Sequence, residues 1–312
     1  MVTFGVQIEP QFGYRYDEIL DTGRACEELG FTTLHISDHF MLSADAVETD
    51  CLECWTVLSG LARDLEKVRI GPLVSSNSYR HPSLLAKMAA SVDVLSGGRL
   101  EFGLGAGWKE VEYRAYGFRF PSPGERVDRM GEALEILRQM WTEDKASFAG
   151  EYYTVEEAVC SPKPVQAGGP PIWVGTAGDR ALRYAIRLAD GVNVAGLPSL
   201  EEFRERMETL RRIAEEEGKD FDGFGRSAFM WGLVAEASQV DEMVSSFART
   251  LGAPVERIRA VGDRGYLGDP EGAVQKFGDF VDAGAQHLIL AFARGWERRS
   301  MELIRDRVMG QL

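Results

Sequence analysis

An aspartate and a histidine stand side by side in HISDHF, residues 35–40, at the point where an apolar run ends. The chain has only four histidines in 312 residues, so the position of each is informative. A histidine near its ordinary pKa can exchange protons with a substrate, and a carboxylate beside it can orient the ring or raise its basicity. Asp38 and His39 could therefore form a proton shuttle, contribute to a metal site, or simply close a strand with polar side chains. A metal site needs further ligands, and His35 lies within the same strand rather than on a shared helical face. His81 and His287 have no comparable neighbour.

Two glycine-rich segments are the next candidates. GLGAG at 103–107, followed by Trp108, superficially resembles a dinucleotide fingerprint. Its spacing is G-x-G-x-G, and the next helix is expected only near Glu125, so a phosphate would meet no helix N-terminus there. Gly105, Ala106 and Gly107 then either allow close backbone approach at a rim or leave flat space for a ring system. In GTAGDRALRYA at 175–185 a strand passes through a small-residue turn directly into a helix. Free N–H groups at Gly175, Thr176, Ala177 and Gly178, with the helix dipole behind them, would favour an anion such as phosphate. An ordinary tight turn is the alternative. Cys51 and Cys54 form CLEC without a second pair, half of a zinc set, and read as buried thiols on one helix face.

These residues must be positioned by regular elements, and apolar strands alternate with amphipathic helices along almost the whole chain. Strands are expected at 3–8, 32–36, 68–73, 99–104, 172–175, 191–194, 228–235 and 287–291. Helices are expected at 16–29, 51–64, 82–95, 125–141, 179–188, 200–217, 240–251, 269–283 and 297–308. SPGE at 122–125 and SLEE at 199–202 are capping-box sequences, and Val127, Met130, Leu134, Leu137 and Trp141 recur at spacings of three and four behind the first. The alternation implies an α/β protein with a parallel sheet, best matched by a (β/α)8 TIM barrel, with a doubly wound open sheet as the rival. Without a linker or composition break the chain reads as a single domain, 1–312, with insertions at about 142–171 and 253–268. In such a barrel the site lies at the C-terminal strand ends, where Asp38, His39 and both glycine segments fall.

Composition narrows the partners. A formal charge of −14 without a Lys/Arg cluster argues against nucleic acid, so a small molecule is the expected ligand. The apolar runs are too short to cross a membrane, and MVTFGVQIEP lacks the features of a signal peptide. Four sparse cysteines fit a reducing compartment, so a cytoplasmic location is expected.

Several segments, in order, resemble the bacterial luciferase-like flavin and deazaflavin oxidoreductases: GFTTLHISDHF at 30–40, the long stretch from GPLVSSNSYRHP through SGGR to GLGAGW at 71–108, EYRAYGFRF at 112–120, GGPPIWVGTAGDRALRYAIRLADGVN at 168–193 and AGAQHLIL at 283–290. The resemblance implies the barrel and an isoalloxazine-type cofactor across its strand ends. It further implies a non-proline cis peptide at Leu73-Val74 propping the ring, contacts from Asn77 and from Gly105 to Trp108, and the phosphate at Gly175 to Gly178. HISDHF and RHP are similar to the branch using coenzyme F-420, an 8-hydroxy-5-deazaflavin that carries a hydride. That branch would make Asp38 a ring contact and His39 the proton-handling residue. The FMN branch, whose members are monooxygenases using oxygen and often a flavin reductase, is the alternative, and a flavin-binding barrel without catalysis is the third. The sugar-phosphate dehydrogenases of the F-420 branch carry a glutamate where this chain has Trp108, although Glu110 or Glu112 could reach the pocket. A homodimer is common in the family.

Overall fold

The computed structural model describes residues 2–176, 178–194 and 196–312. Nine parallel strands follow one another around a barrel in the order β3 (Arg69–Pro72), β2 (Thr33–Ile36), β1 (Thr3–Ile8), β12 (His287–Ala291), β10 (Gly225–Val234), β9 (Gly191–Val194), β8 (Ile172–Thr176), β5 (Phe102–Gly105) and β4 (Ser75–Ser76). Strands β3 and β4 are two parts of one stave, interrupted at Leu73 and Val74, so the path has eight staves. The barrel closes where Ile70 bridges Leu100 in parallel and β4 pairs with β5. This is the expected (β/α)8 TIM barrel. The expected hairpin inside 142–171 is β6 (Ala146–Ala149) with β7 (Thr154–Ala158), and β11 (Tyr266–Gly268) adds to the end of β10.

The helices are α1 (Tyr16–Leu29), α2 (Cys54–Asp64), α3 (Pro82–Ser96), α4 (Glu110–Tyr116), α5 (Pro123–Thr142), α6 (Asp179–Leu188), α7 (Leu200–Glu216), α8 (Val240–Leu251), α9 (Val255–Val261), α10 (Pro270–Asp282) and α11 (Glu297–Arg307). The periodicity behind Ser122 is realised: Met130, Leu134, Leu137 and Trp141 of α5 are buried. Ser199 and Glu202 form a complete capping box at α7. At α5 only half of one forms, because Ser122 accepts from the Glu125 amide while the Glu125 carboxylate pairs with Arg119 and Arg129. Two helices escape the sequence reading. Seven residues each, α4 and α9 are too short for a helical period to register, and neither has a side-chain cap. The first matters for function, since a helix begins at Glu110 rather than near Glu125. Among the described residues no helix is long and apolar enough to cross a membrane.

Candidate active site

Strand β2 ends in Ser37, Asp38 and His39, and the last two engage different partners. Asp38 is buried, and its carboxylate is saturated within the protein: Arg80 donates from both terminal nitrogens at 2.7 and 3.0 Å, and the Ser75 hydroxyl and Ser76 amide each donate at 3.0 Å. Arg80 also reaches Glu53, whose carboxylate caps α2 through the amides of Trp55 and Thr56. Burial works against the Arg80 charge, but Asp38 outweighs it and holds the guanidinium firmly protonated. Asp38 thus ties β2 to β4 and, through Arg80, to the start of α2. In this geometry the Asp38 carboxylate is engaged by Arg80, Ser75 and Ser76 and not by His39, with three of the four bonds on Oδ2 and one on Oδ1.

His39 is served instead by a carboxylate 73 positions away. Its Nδ1 lies 2.9 Å from Glu112 Oε2, and its ring meets Trp108 edge-on at 5.7 Å between centroids. Glu112 comes from α4 and is fully buried. It also accepts from the Tyr79 hydroxyl at 2.9 Å, the Phe40 amide at 2.8 Å, the Met41 amide at 3.2 Å and the Lys109 ammonium at 3.3 Å. Burial alone would raise the Glu112 carboxyl. The hydrogen bond and charge of His39, then the Phe40 amide and Lys109, outweigh it and hold the carboxyl at about 2. Cys51 and Cys54 support the same segment, donating to the carbonyls of His39 and Ile36. Cys51 lies before α2 rather than on it, and burial pushes its thiol up to about 12.

Beside this network the peptide Leu73-Val74 is cis, at the position the resemblance implies. A Cβ added to Gly105 would fall 2.6 Å from Val74 Cγ2, one on Gly175 2.8 Å from Val74 Cγ1, and one on Gly103 3.1 Å from the same methyl. Gly105 and Gly175, on neighbouring strands, therefore seat one valine, while Gly103 chiefly makes room for the Pro72 carbonyl. Gly107, at φ +81°, makes room for the Tyr113 hydroxyl, 1.8 Å from its would-be Cβ. Its carbonyl accepts from Arg126 Nε at 3.0 Å. The space that GLGAG vacates is thus filled by Val74 and Tyr113, and a flat ligand would rest on Val74 rather than on the glycines. Ala106 between them packs partly against the core. Asn77 is fully buried, with its amide on the Gly105 carbonyl and its Nδ2 3.3 Å from the Tyr153 hydroxyl, while its Oδ1 has no partner. Trp108 is 71% exposed.

The anion turn is simpler. Gly175 and Thr176 end β8, Ala177 lies outside the described residues, and Gly178 is the N-cap of α6 with nothing within 4 Å of where its Cβ would be. The Gly178 N–H, expected to be free, reaches Thr176 Oγ1 at 3.2 Å, as small hydroxyl residues do in such turns. A cleft of about 580 Å³ adjoins the turn, lined by Arg119, Arg129, Arg180, Glu125, Asp128 and Tyr152 among others. Arg129 stacks over Tyr152 and Tyr153, and Tyr153 reaches Asn77, so this cleft and the Val74 seat are linked by direct contacts.

The residues fit an isoalloxazine-type group: a valine flanked by glycines, an orphaned buried acceptor on Asn77, a histidine after the adjoining strand and a polar cleft reached through Tyr153. Leu73 precedes Val74 across the cis peptide, Trp108 meets the His39 ring, Asn77 bonds Gly105 through its backbone amide, and Gly105 and Gly175 border the same valine. Sequence reasoning quoted Arg80 only as the first residue of RHP, gave neither it nor the preceding Tyr79 a role, and could not choose between Glu110 and Glu112. Of the two, Glu112 is the one in contact with the network, while Glu110 pairs with Arg114 on the surface.

Comparison with known proteins agrees with this geometry. An F-420-dependent glucose-6-phosphate dehydrogenase of Microbacterium testaceum (strain StLB037) is 27% identical, the match covering 89% of this chain and 90% of that one. An F-420-dependent secondary alcohol dehydrogenase, solved with an F-420–acetone adduct, superposes with a TM-score of 0.84 over 100% of this chain and 99% of its own at 18% identity. A monooxygenase of Streptomyces bottropensis also gives 0.84, at 20% identity over 99% of both chains. The sequence profile described as luciferase-like monooxygenase matches residues 1–251. With the profile spanning the strand ends that carry His39, Val74 and the anion turn, the chain belongs to the luciferase-like monooxygenase family.

Proposed function

We propose that this family member exchanges a hydride between coenzyme F-420 and a small organic substrate. The observation that carries the reading is the Val74 seat, where a Cβ on Gly105 or Gly175 would strike the valine, with the orphaned Asn77 Oδ1 three residues on and His39 following the adjoining strand β2. When bound, the deazaflavin supplies a two-electron hydride carrier. Val74 and Leu73 would support its ring, Asn77 would offer an acceptor to its polar edge, and the turn from Gly175 to Gly178 would take the phosphate, with Arg180 alongside. The similarity to an F-420-dependent dehydrogenase over nine-tenths of both chains supports the choice of coenzyme.

His39 has the proton role. Oxidation of a carbinol carbon releases a hydride and a hydroxyl proton, and reduction of a carbonyl consumes both. With Nδ1 bonded to Glu112, Nε2 is the nitrogen left to take or return that proton. The environment supports a neutral substrate with an apolar part. Trp108 presents an exposed indole where the sugar-phosphate branch carries a carboxylate, and the cations of this network are committed. Arg80 holds Asp38 and Glu53, and Lys109 holds the carbonyls of Met41 and Leu42 besides Glu112.

Equilibrium titration of the purified protein with F-420 and, separately, FMN tests the choice. Saturable binding of F-420 at micromolar concentration with FMN at least tenfold weaker is expected. Tight FMN binding without F-420 binding, accompanied by flavin-dependent oxygen uptake, would replace the reading with an FMN-dependent monooxygenase.

A further inference from the structure

We infer that Glu112 is a positioning residue that fixes the proton of neutral His39 on Nδ1 and leaves Nε2 as the atom that exchanges protons with the substrate. The inference rests on the proton role proposed for His39 and extends it to the buried carboxylate that bonds its ring. An ionised carboxylate can only accept hydrogen bonds, and Glu112 Oε2 lies 2.9 Å from Nδ1, so the ring must present N–H on that side. The carboxylate cannot swing away. Its Oε1 is held by two consecutive backbone amides, Phe40 and Met41, and its Oε2 by the Tyr79 hydroxyl. Those amides immediately follow His39, so one carboxylate fixes both the path of the segment and the rotation of its ring. Lys109, three residues earlier and bonded to the carbonyls of Met41 and Leu42, closes the same loop. The Glu112 carboxylate is thus buried against the histidine, where it stabilises the imidazolium formed when Nε2 takes a proton. Asp38, the neighbour in sequence, bonds Arg80, Ser75 and Ser76 and makes no contact with the His39 ring.

Glu112→Gln is the discriminating variant. The amide oxygen can still accept from Phe40 and Met41, while the NH2 group can only donate to His39, which reverses the demand on Nδ1. Imidazole ¹⁵N shifts of the protein without coenzyme, with His39 assigned by comparison with His39→Asn, read the tautomer directly. Wild type should show a protonated, pyrrole-type Nδ1 and Glu112→Gln a pyridine-type Nδ1. In Glu112→Gln, coenzyme binding should change by less than about threefold, while turnover should fall by on the order of 10²- to 10⁴-fold. Glu112→Asp, which keeps the carboxylate, should restore the wild-type tautomer and part of the turnover. A reversed tautomer with unchanged turnover would overturn the positioning role, as would a Glu112→Gln protein that keeps the wild-type tautomer. A loss of turnover that merely follows loss of coenzyme binding or of helical signal would reduce Glu112 to a structural residue. Because the tautomer is read without coenzyme, a failure of the F-420 reading leaves that measurement standing and is recognised separately by titration.

Discussion

The two ends of the site are built on opposite plans. At the His39 end, residues from β2, β4, α4 and the segment before α3 interlock: Asp38 with Arg80, Glu112 with His39 and Tyr79, Glu53 with the start of α2. Nearly every polar atom there is buried and paired, and the groups come from stretches up to 73 positions apart. At the Gly175 to Gly178 end β8 leads into α6, the Gly178 amide bonds the nearby Thr176 hydroxyl, and Arg180 pairs with Asp128 near the surface. A group that must hold one tautomer and one angle needs many partners, whereas an anion asks only for donors and field.

The contrast predicts unequal consequences when each end is broken. The largest effect on the fold belongs to Asp38→Asn, which leaves the Arg80 guanidinium, buried beside β4, with a neutral partner. Removing one member of such a pair costs about 3 kcal/mol, moderated here because Glu53 still reaches Arg80. Urea denaturation should show a lower midpoint at unchanged slope. A midpoint equal to wild type would mean that the network contributes nothing to stability. At the other end, Arg180→Ala removes an ion pair whose arginine is 62% exposed, and the melting temperature should stay the same. F-420 binding should weaken by less than about tenfold, and the difference should shrink at high salt. An unchanged affinity at low salt would move the phosphate away from this turn.

Legibility in the sequence follows the same division. The β8-to-α6 turn was readable because everything it needs lies within a few residues: apolar strand, small turn residues, helix. Strands Thr3–Ile8, Gly191–Val194 and His287–Ala291 and helices Tyr16–Leu29, Asp179–Leu188 and Val240–Leu251 were likewise legible to the residue, since long regular patterns with clear ends set their bounds. The His39 end was half readable. HISDHF announces a polar pair at a strand end, but past Ile36 the two side chains meet different neighbours, Asp38 bonding Arg80 and His39 bonding Glu112. Glu112 was named beside Glu110 but could not be preferred, because the shortness of α4 left both in an apparent loop with no face assigned. The glycines of GLGAG were noticed, yet which side chains fill their space depends on β4 lying against β5, a pairing fixed only by the closed barrel.

The central claim, hydride exchange with F-420 balanced by a proton on His39, is tested most directly by anaerobic single turnover of the F-420-loaded protein with a simple secondary alcohol, comparing wild type with His39→Ala. Wild type should reduce the coenzyme with formation of one ketone per hydride transferred, the alcohol supplying both the hydride and, through His39, the proton. His39→Ala should retain its fold and coenzyme affinity and react on the order of 10²- to 10⁴-fold more slowly. Equal rates in the two proteins would contradict the role of His39. Failure of the loaded wild type to reduce the coenzyme with any alcohol, or to reoxidise the reduced form with the matching ketones and aldehydes, would contradict the proposed reaction.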